Sequence, residues 1–180
     1  YMEMRHDIQM AMEQVEPVFN RIEDEFNSIF GRKYGAADAL ECQDAEIIIV
    51  LAGTAASTCR QVISELRNRG EKVGMVKLKM FRPFPKALFR QLLGNAEKIA
   101  VIDRNYSFGA TGIFAQEIRA ALYNHVNRPP IFGYVTGLGG RDVTPEIIED
   151  IFRMTKEAST PEPESVWVGL NKPLNQTQSD

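Results

Sequence analysis

Arg82, Arg104 and Arg141 are the side chains best suited to chemistry in this sequence, because each stands in a turn just past a short apolar run that reads as a strand. They lie in Phe81-Arg82-Pro83-Phe84-Pro85, in Asp103-Arg104 and in the turn from Gly137 to Asp142. A guanidinium presents paired N–H donors in one plane, the geometry that holds a carboxylate or a phosphate. In a parallel sheet the turns after the strands gather on one edge, and ligands bind there. A locally electropositive edge is therefore expected, with Arg82, Arg104, Arg141 and Asp142 as candidates for an anion-binding or subunit-contact surface. Two readings stay open. Either the arginines hold an anion carried by a ligand or an adjoining subunit, or they pair with Asp103 and Asp142 and only fix their own loops. Gly53, Gly109, Gly137, Gly139 and Gly140 read as loop residues that let the backbone turn without Cβ clashes.

Other chemistries find little support. Gly137-Leu138-Gly139-Gly140 is not GxGxxG and follows the last strand instead of the first, and no GxxxxGK[ST] segment is present. His6 and His125 lack a second histidine or acid arranged as metal ligands would be; His125 reads as a cation near the end of a helix, where the helix dipole favours it. There is no GxSxG elbow, and Cys59 falls on an expected buried stripe, a poor setting for a nucleophile. Cys42 and Cys59 are too few for a cysteine-ligated cluster or a four-cysteine zinc site. Neither a catalytic residue nor a metal site is expected.

Composition narrows the class further. The chain has 180 residues, 44% of them hydrophobic, enough for one well-buried core plus appendages. A net charge of −3 leaves no basic surplus for a row of phosphates, which argues against nucleic acid. No apolar run approaches the roughly 20 residues of a membrane span, and no signal peptide opens the sequence. Two free thiols fit a reducing cytoplasm. Asn105-Tyr106-Ser107 and Asn175-Gln176-Thr177 match the glycosylation pattern, a chance match without secretion. Starting at Tyr1, the sequence reads as a piece of something longer.

The elements that must position these residues are legible as periodicities. Ile8, Met12, Val15, Val18, Ile22, Phe26 and Ile29 recur every three or four positions, the stripe of an amphipathic helix. Pro17 should kink it, or open a second helix near its own first turn. Gly31 to Asp44 reads as a connector. Strands are expected at 46–51, 73–80, 98–103 and 131–135, β-branched runs of the kind buried on both faces of a parallel sheet. Helical stripes fill the gaps: Ala55, Cys59, Val62 and Leu66, ending at Gly70; Phe114, Ile118, Ala121 and Val126; and Ile147, Ile148, Ile151 and Phe152. Thr144-Pro145-Glu146 reads as N-cap, N1 and N2 of the last helix. This alternation predicts a three-layer α/β/α sandwich around a mostly parallel sheet. The division is a helical segment and connector over 1–44, an α/β domain over 45–158 and an extended arm over 159–180 with no core of its own. Trp167 should anchor that arm onto this domain or a neighbour.

Four segments, FGRKYG (30–35), FRPFP (81–85), VIDRNYSFGATG (101–112) and GLGGRDVTPE (137–146), taken in that order, resemble the α subunit of 2-oxoacid:ferredoxin oxidoreductases, closest to the pyruvate:ferredoxin oxidoreductase (pyruvate synthase) group. The resemblance runs from about Arg5 to about Met154, and the combination of FRPFP with GLGGRDVTPE is more specific than either alone. It implies a domain similar in fold to the transketolase carboxy-terminal domain. It further implies a parent enzyme that decarboxylates a 2-oxoacid on thiamine diphosphate with Mg²⁺, passes electrons through [4Fe–4S] clusters to ferredoxin, and transfers the acyl group to coenzyme A. On that resemblance this chain binds none of these groups. The diphosphate and Mg²⁺ belong to a β subunit and the clusters to a ferredoxin-like subunit or insert, with γ and δ subunits or fused equivalents completing the complex. The domain's own role would be packing and assembly. The alternative is a stand-alone docking module that captures an anion such as coenzyme A.

Overall fold

The computed structural model describes residues 1–171. Helices α1 (Met2–Glu13) and α2 (Val15–Phe30) come first, followed by β1 (Ala37–Leu40), β2 (Ile47–Ala52), α3 (Ala55–Asn68), β3 (Val73–Leu78) and α4 (Lys86–Leu93). The second half holds β4 (Lys98–Asp103), α5 (Ile113–Leu122), β5 (Ile131–Val135), a short 3-10 turn at Leu138–Gly140, α6 (Pro145–Glu157) and β6 (Val166–Trp167). The sheet order is β1-β3-β2-β4-β5-β6, with every pairing parallel except β1 against β3.

Alternate side chains of each central strand enter opposite cores. Ile47, Ile49, Leu51, Met75, Ala100, Ile102 and Tyr134 face α3 and α6. Ile48, Val50, Val76, Ile99, Val101 and Ile131 face α4 and α5. Strands buried on both sides must be apolar throughout, which is why the run Ile47–Leu51 shows no polar alternation. Each of the Ile, Leu, Val and Met side chains contributes roughly 1.5–3 kcal/mol on full burial. The result is the expected three-layer sandwich.

Four details depart from the sequence reading. The connector contains β1, an edge strand, and Arg67 clamps the rest of it by donating to both Asp44 carboxylate oxygens at 2.9 Å and to the Glu41 carbonyl at 2.6 Å. The arm contributes β6 to the other sheet edge, so the sheet draws on both flanks of 45–158. A side chain on Gly133 would collide with the Ser165 hydroxyl, so the bare glycine lets the arm lie down on β5. Third, α5 stops at Leu122 and Val126 is 96% exposed instead of sitting on the buried stripe, in a turning segment over 123–127 that leads into the extended backbone Pro129 and Pro130 require ahead of β5. Fourth, the strand expected over 73–80 ends at Leu78. The amino-terminal stripe does divide in two, with Pro17 in the first turn of α2. Asn175-Gln176-Thr177 lies outside the described residues.

Candidate functional site

The sheet order reverses direction at β2: β3 lies on one side of it and β4 on the other. The helix after β2, α3, packs on one face, and the helix after β4, α5, on the opposite face. The two loops therefore diverge and leave a crevice beyond the carboxyl ends of β2 and β4, where open α/β sheets bind ligands. A cleft of about 410 Å³ occupies that position. Leu51, Ala55, Ile102 and Phe114 give it an apolar wall; Gly53, Arg104, Asn105 and the turn Gly137–Gly140 give it a polar rim.

Arg104 is exposed on this rim and donates to the Gly137 carbonyl at 3.4 Å. Gly137 has φ +70°, in the left-handed region, and a Cβ there would approach Arg104 Nε to 2.9 Å and a Val143 methyl to 2.7 Å. Glycine is thus required by both conformation and space. Gly53, Gly139 and Gly140 share the positive φ at the same rim, and Gly109 has it in the loop between β4 and α5.

Beneath the rim sits Asp103, fully buried. Its carboxylate accepts the backbone N–H groups of Phe114 at 2.8 Å and Ala115 at 3.0 Å, while Asn105 Oδ1 accepts that of Ile113 at 2.9 Å. Together they satisfy the amino-terminal donors of α5, which has no cap from Gly112. Burial pushes the Asp103 carboxyl above its ordinary range, and these N–H bonds work in the opposite direction. Sequence reasoning offered Asp103 only as an arginine partner. The signal available was an acid and an asparagine two residues apart ahead of a helix start.

The three arginines do not converge. Arg104 alone of them lines the cleft. Arg141 is exposed and donates to the Gly169 carbonyl at 2.8 Å, tying its turn to the arm; Asp142 beside it is exposed. Arg82 lies in a separate hollow of about 460 Å³, with Pro83, Phe84, Lys86 and residues of α1 around it. There it pairs with Glu117 at 2.6 Å and stacks on the Phe81 ring, 4.0 Å from its centroid. The pairing with Asp103 and Asp142 anticipated in the second reading is replaced by Glu117 and backbone carbonyls, since Asp103 is taken up by α5.

Trp167 anchors on this domain: its ring packs on Tyr106 at 4.8 Å in the loop after β4, and nearby Ser165 Oγ meets Thr111 Oγ1 at 2.7 Å. His125 follows the end of α5, with its Nδ1 2.9 Å from the Asn127 carbonyl. Among the described residues no three His, Cys, Asp or Glu side chains converge as a metal would need. Cys59 is buried and its thiol is pushed up to about 12 by desolvation; Cys42 donates to the Met75 carbonyl at 3.2 Å. The cleft lining contains hydrogen-bond donors and an apolar surface, without a nucleophile beside a base.

Residues 45–148, from the residues leading into β2 to the first turn of α6, match the family model described as pyruvate:ferredoxin oxidoreductase core domain II. The chain belongs to this family. Over 172 residues, 96% of this chain and 43% of the relative, core domain II and its flanks are 41% identical to "Pyruvate synthase subunit PorA" of Methanothermobacter thermautotrophicus. The chain thus spans less than half the length of that relative. Among solved structures, 2-oxoglutarate:ferredoxin oxidoreductase from Magnetococcus marinus, with 2-oxoglutarate, coenzyme A and succinyl-CoA bound, superposes with TM-score 0.51 at 19% identity over 72% of this chain and 21% of that one. A split-gene transketolase, an inactive β4 tetramer, gives TM-score 0.53 at 11% identity over 71% of this chain and 44% of that one. Both likenesses concern the fold, and it is the transketolase-like α/β fold anticipated from the sequence motifs. No described helix is long and apolar enough to cross a membrane.

Proposed function

We propose that this chain is the core domain II part of the α subunit of a cytoplasmic, thiamine-diphosphate-dependent 2-oxoacid:ferredoxin oxidoreductase of the pyruvate synthase type, in which it packs and aligns other parts and does no chemistry itself. The observation that carries the reading is the 41% identity to a pyruvate synthase subunit across 96% of the chain. The parent reaction would be the oxidative decarboxylation of pyruvate or a related 2-oxoacid to an acyl-CoA, with reduction of ferredoxin. Its [4Fe–4S] clusters and Mg²⁺ find no ligand set among the described residues, where one cysteine is buried, the other is bonded to backbone carbonyls and no three acidic, His or Cys side chains converge, and its thiamine diphosphate goes with the Mg²⁺. They are assigned to β, γ and δ partners or fused equivalents. In a reconstituted complex containing this chain, pyruvate and coenzyme A should reduce ferredoxin, while the chain alone should show no turnover. Turnover by the chain alone, or an inactive complex, overturns the reading.

The cleft supports a second reading. Arg104, with the glycine turn and apolar wall beside it, is suited to an anion with an apolar part, such as coenzyme A. Calorimetric titration of the chain with coenzyme A should then give saturable heat that Arg104→Ala reduces. Heat unchanged by that substitution but lost in a variant with Arg82 and Arg141 also replaced by Ala would move the contact to the outer arginines.

A further inference from the structure

The helix pair at the amino terminus is covered only in part: Gln9, Met12 and Glu13 border the Arg82 hollow and Phe26 packs on Tyr34. Neither α1 nor α2 has a fully buried residue, and neither contributes to the two cores of the α/β body. Yet the stripe that marks them as amphipathic is intact, with Ile8 51%, Val18 42%, Ile22 55% and Ile29 71% exposed. Ten of the fourteen large hydrophobic side chains exposed among the described residues lie within the first 34 positions, so this is a concentrated feature rather than the ordinary scatter of a surface. Helices of this length in water rely on a covered apolar face for most of their stability.

Charge and length indicate what covers it. Residues 1–30 carry seven acidic and two basic side chains, a net −5 within a whole-chain charge of −3, which leaves net +2 on residues 31–180. A second copy docking through the same helix pair would set −5 against −5, so the occupant presents a different kind of surface, apolar at its centre and basic at its rim. The family model begins only at residue 45, whereas the match to PorA takes in 96% of the chain and leaves more than half of PorA without a counterpart here. We infer that the apolar face of α1 and α2 docks the portion of a PorA-length polypeptide that lies outside this match. This inference rests on the α-subunit reading above and relocates its main packing surface from the arginine edge to the helix pair.

The test mixes this chain with a separately expressed portion of Methanothermobacter PorA that lies outside the match, and follows the pair by sedimentation velocity. A one-to-one complex is expected, weakened at least tenfold by Ile22→Asp with Ile29→Asp and weakened also by added salt, because the rim contacts are ionic. Since neither residue enters a core, circular dichroism and the unfolding transition of the α/β body should not change. No complex, a complex that survives both substitutions, or a self-dimer of this chain abolished by them would each overturn the inference. Failure of the α-subunit reading looks different: docking would persist while the reconstituted complex failed to reduce ferredoxin.

Discussion

Asp103 shows how one side chain can serve a site without touching what binds there. Its carboxylate orders the start of α5, and α5 places Phe114 in the cleft wall. Asp103→Ala leaves two N–H groups without an acceptor at a helix start, one of them buried, and should cost about 2–3 kcal/mol in chemical denaturation. Asp103→Asn, which keeps one acceptor oxygen, should cost less; equal stability of all three proteins would show that α5 is held by other means. The cysteines make a second residue-scale prediction. With its thiol pushed up to about 12 in a buried setting, Cys59 should react with a disulfide reagent only as fast as the native state opens. Rapid modification of Cys59 in the folded protein would contradict its place in the core.

At the scale of elements, the ends of helices and strands are fastened by contacts far apart in sequence. Lys98, at the start of β4, donates to the carbonyls of Thr155, Lys156 and Ala158 at 3.0, 2.7 and 2.8 Å, satisfying the carboxyl end of α6 with a cation where the helix dipole is negative. Lys98→Met should destabilise the protein by about 1–2 kcal/mol. The arm depends on an absence of side chain. In Gly133→Val the new methyl groups would occupy the place of Ser165, so β6 should detach. Trp167, the only tryptophan, then becomes the reporter, with emission shifted to the red. An unshifted spectrum would mean that the arm has another attachment.

For the whole molecule, two carboxyls respond to pH in opposite directions. Arg67 beside Asp44 holds that carboxyl below its ordinary 3.8, so the clamp on the connector is complete above about that pH and is lost as pH falls through the lowered folded value. Burial holds Asp103 above 3.8, so its cost to folding is present at neutral pH and is relieved as pH falls through the raised value. A carbon-13 titration should give midpoints on opposite sides of 3.8. Arg67→Met should return Asp44 toward that value and leave Asp103 unmoved.

Much of this architecture was legible because it is local. The alternation of apolar runs with helical stripes, the Thr144-Pro145 helix start and a second helix with Pro17 in its first turn all depend on neighbouring residues, and all stand where the spacing put them. Turn positions followed too, since the ends of parallel strands collect on one edge. What remained illegible required partners distant in the chain. Ala37–Leu40 and Val166–Trp167 are short strands with weak patterns of their own, and they become strands because β3 and β5 offer unpaired edges. The separation of Arg82 from Arg104 follows from strand order, which places β3 and β4 on either side of β2. The amino-terminal stripe announced amphipathic helices, but only the tertiary structure reveals that the face is left open, because burial is a property of what packs nearby and not of the periodicity that requests it.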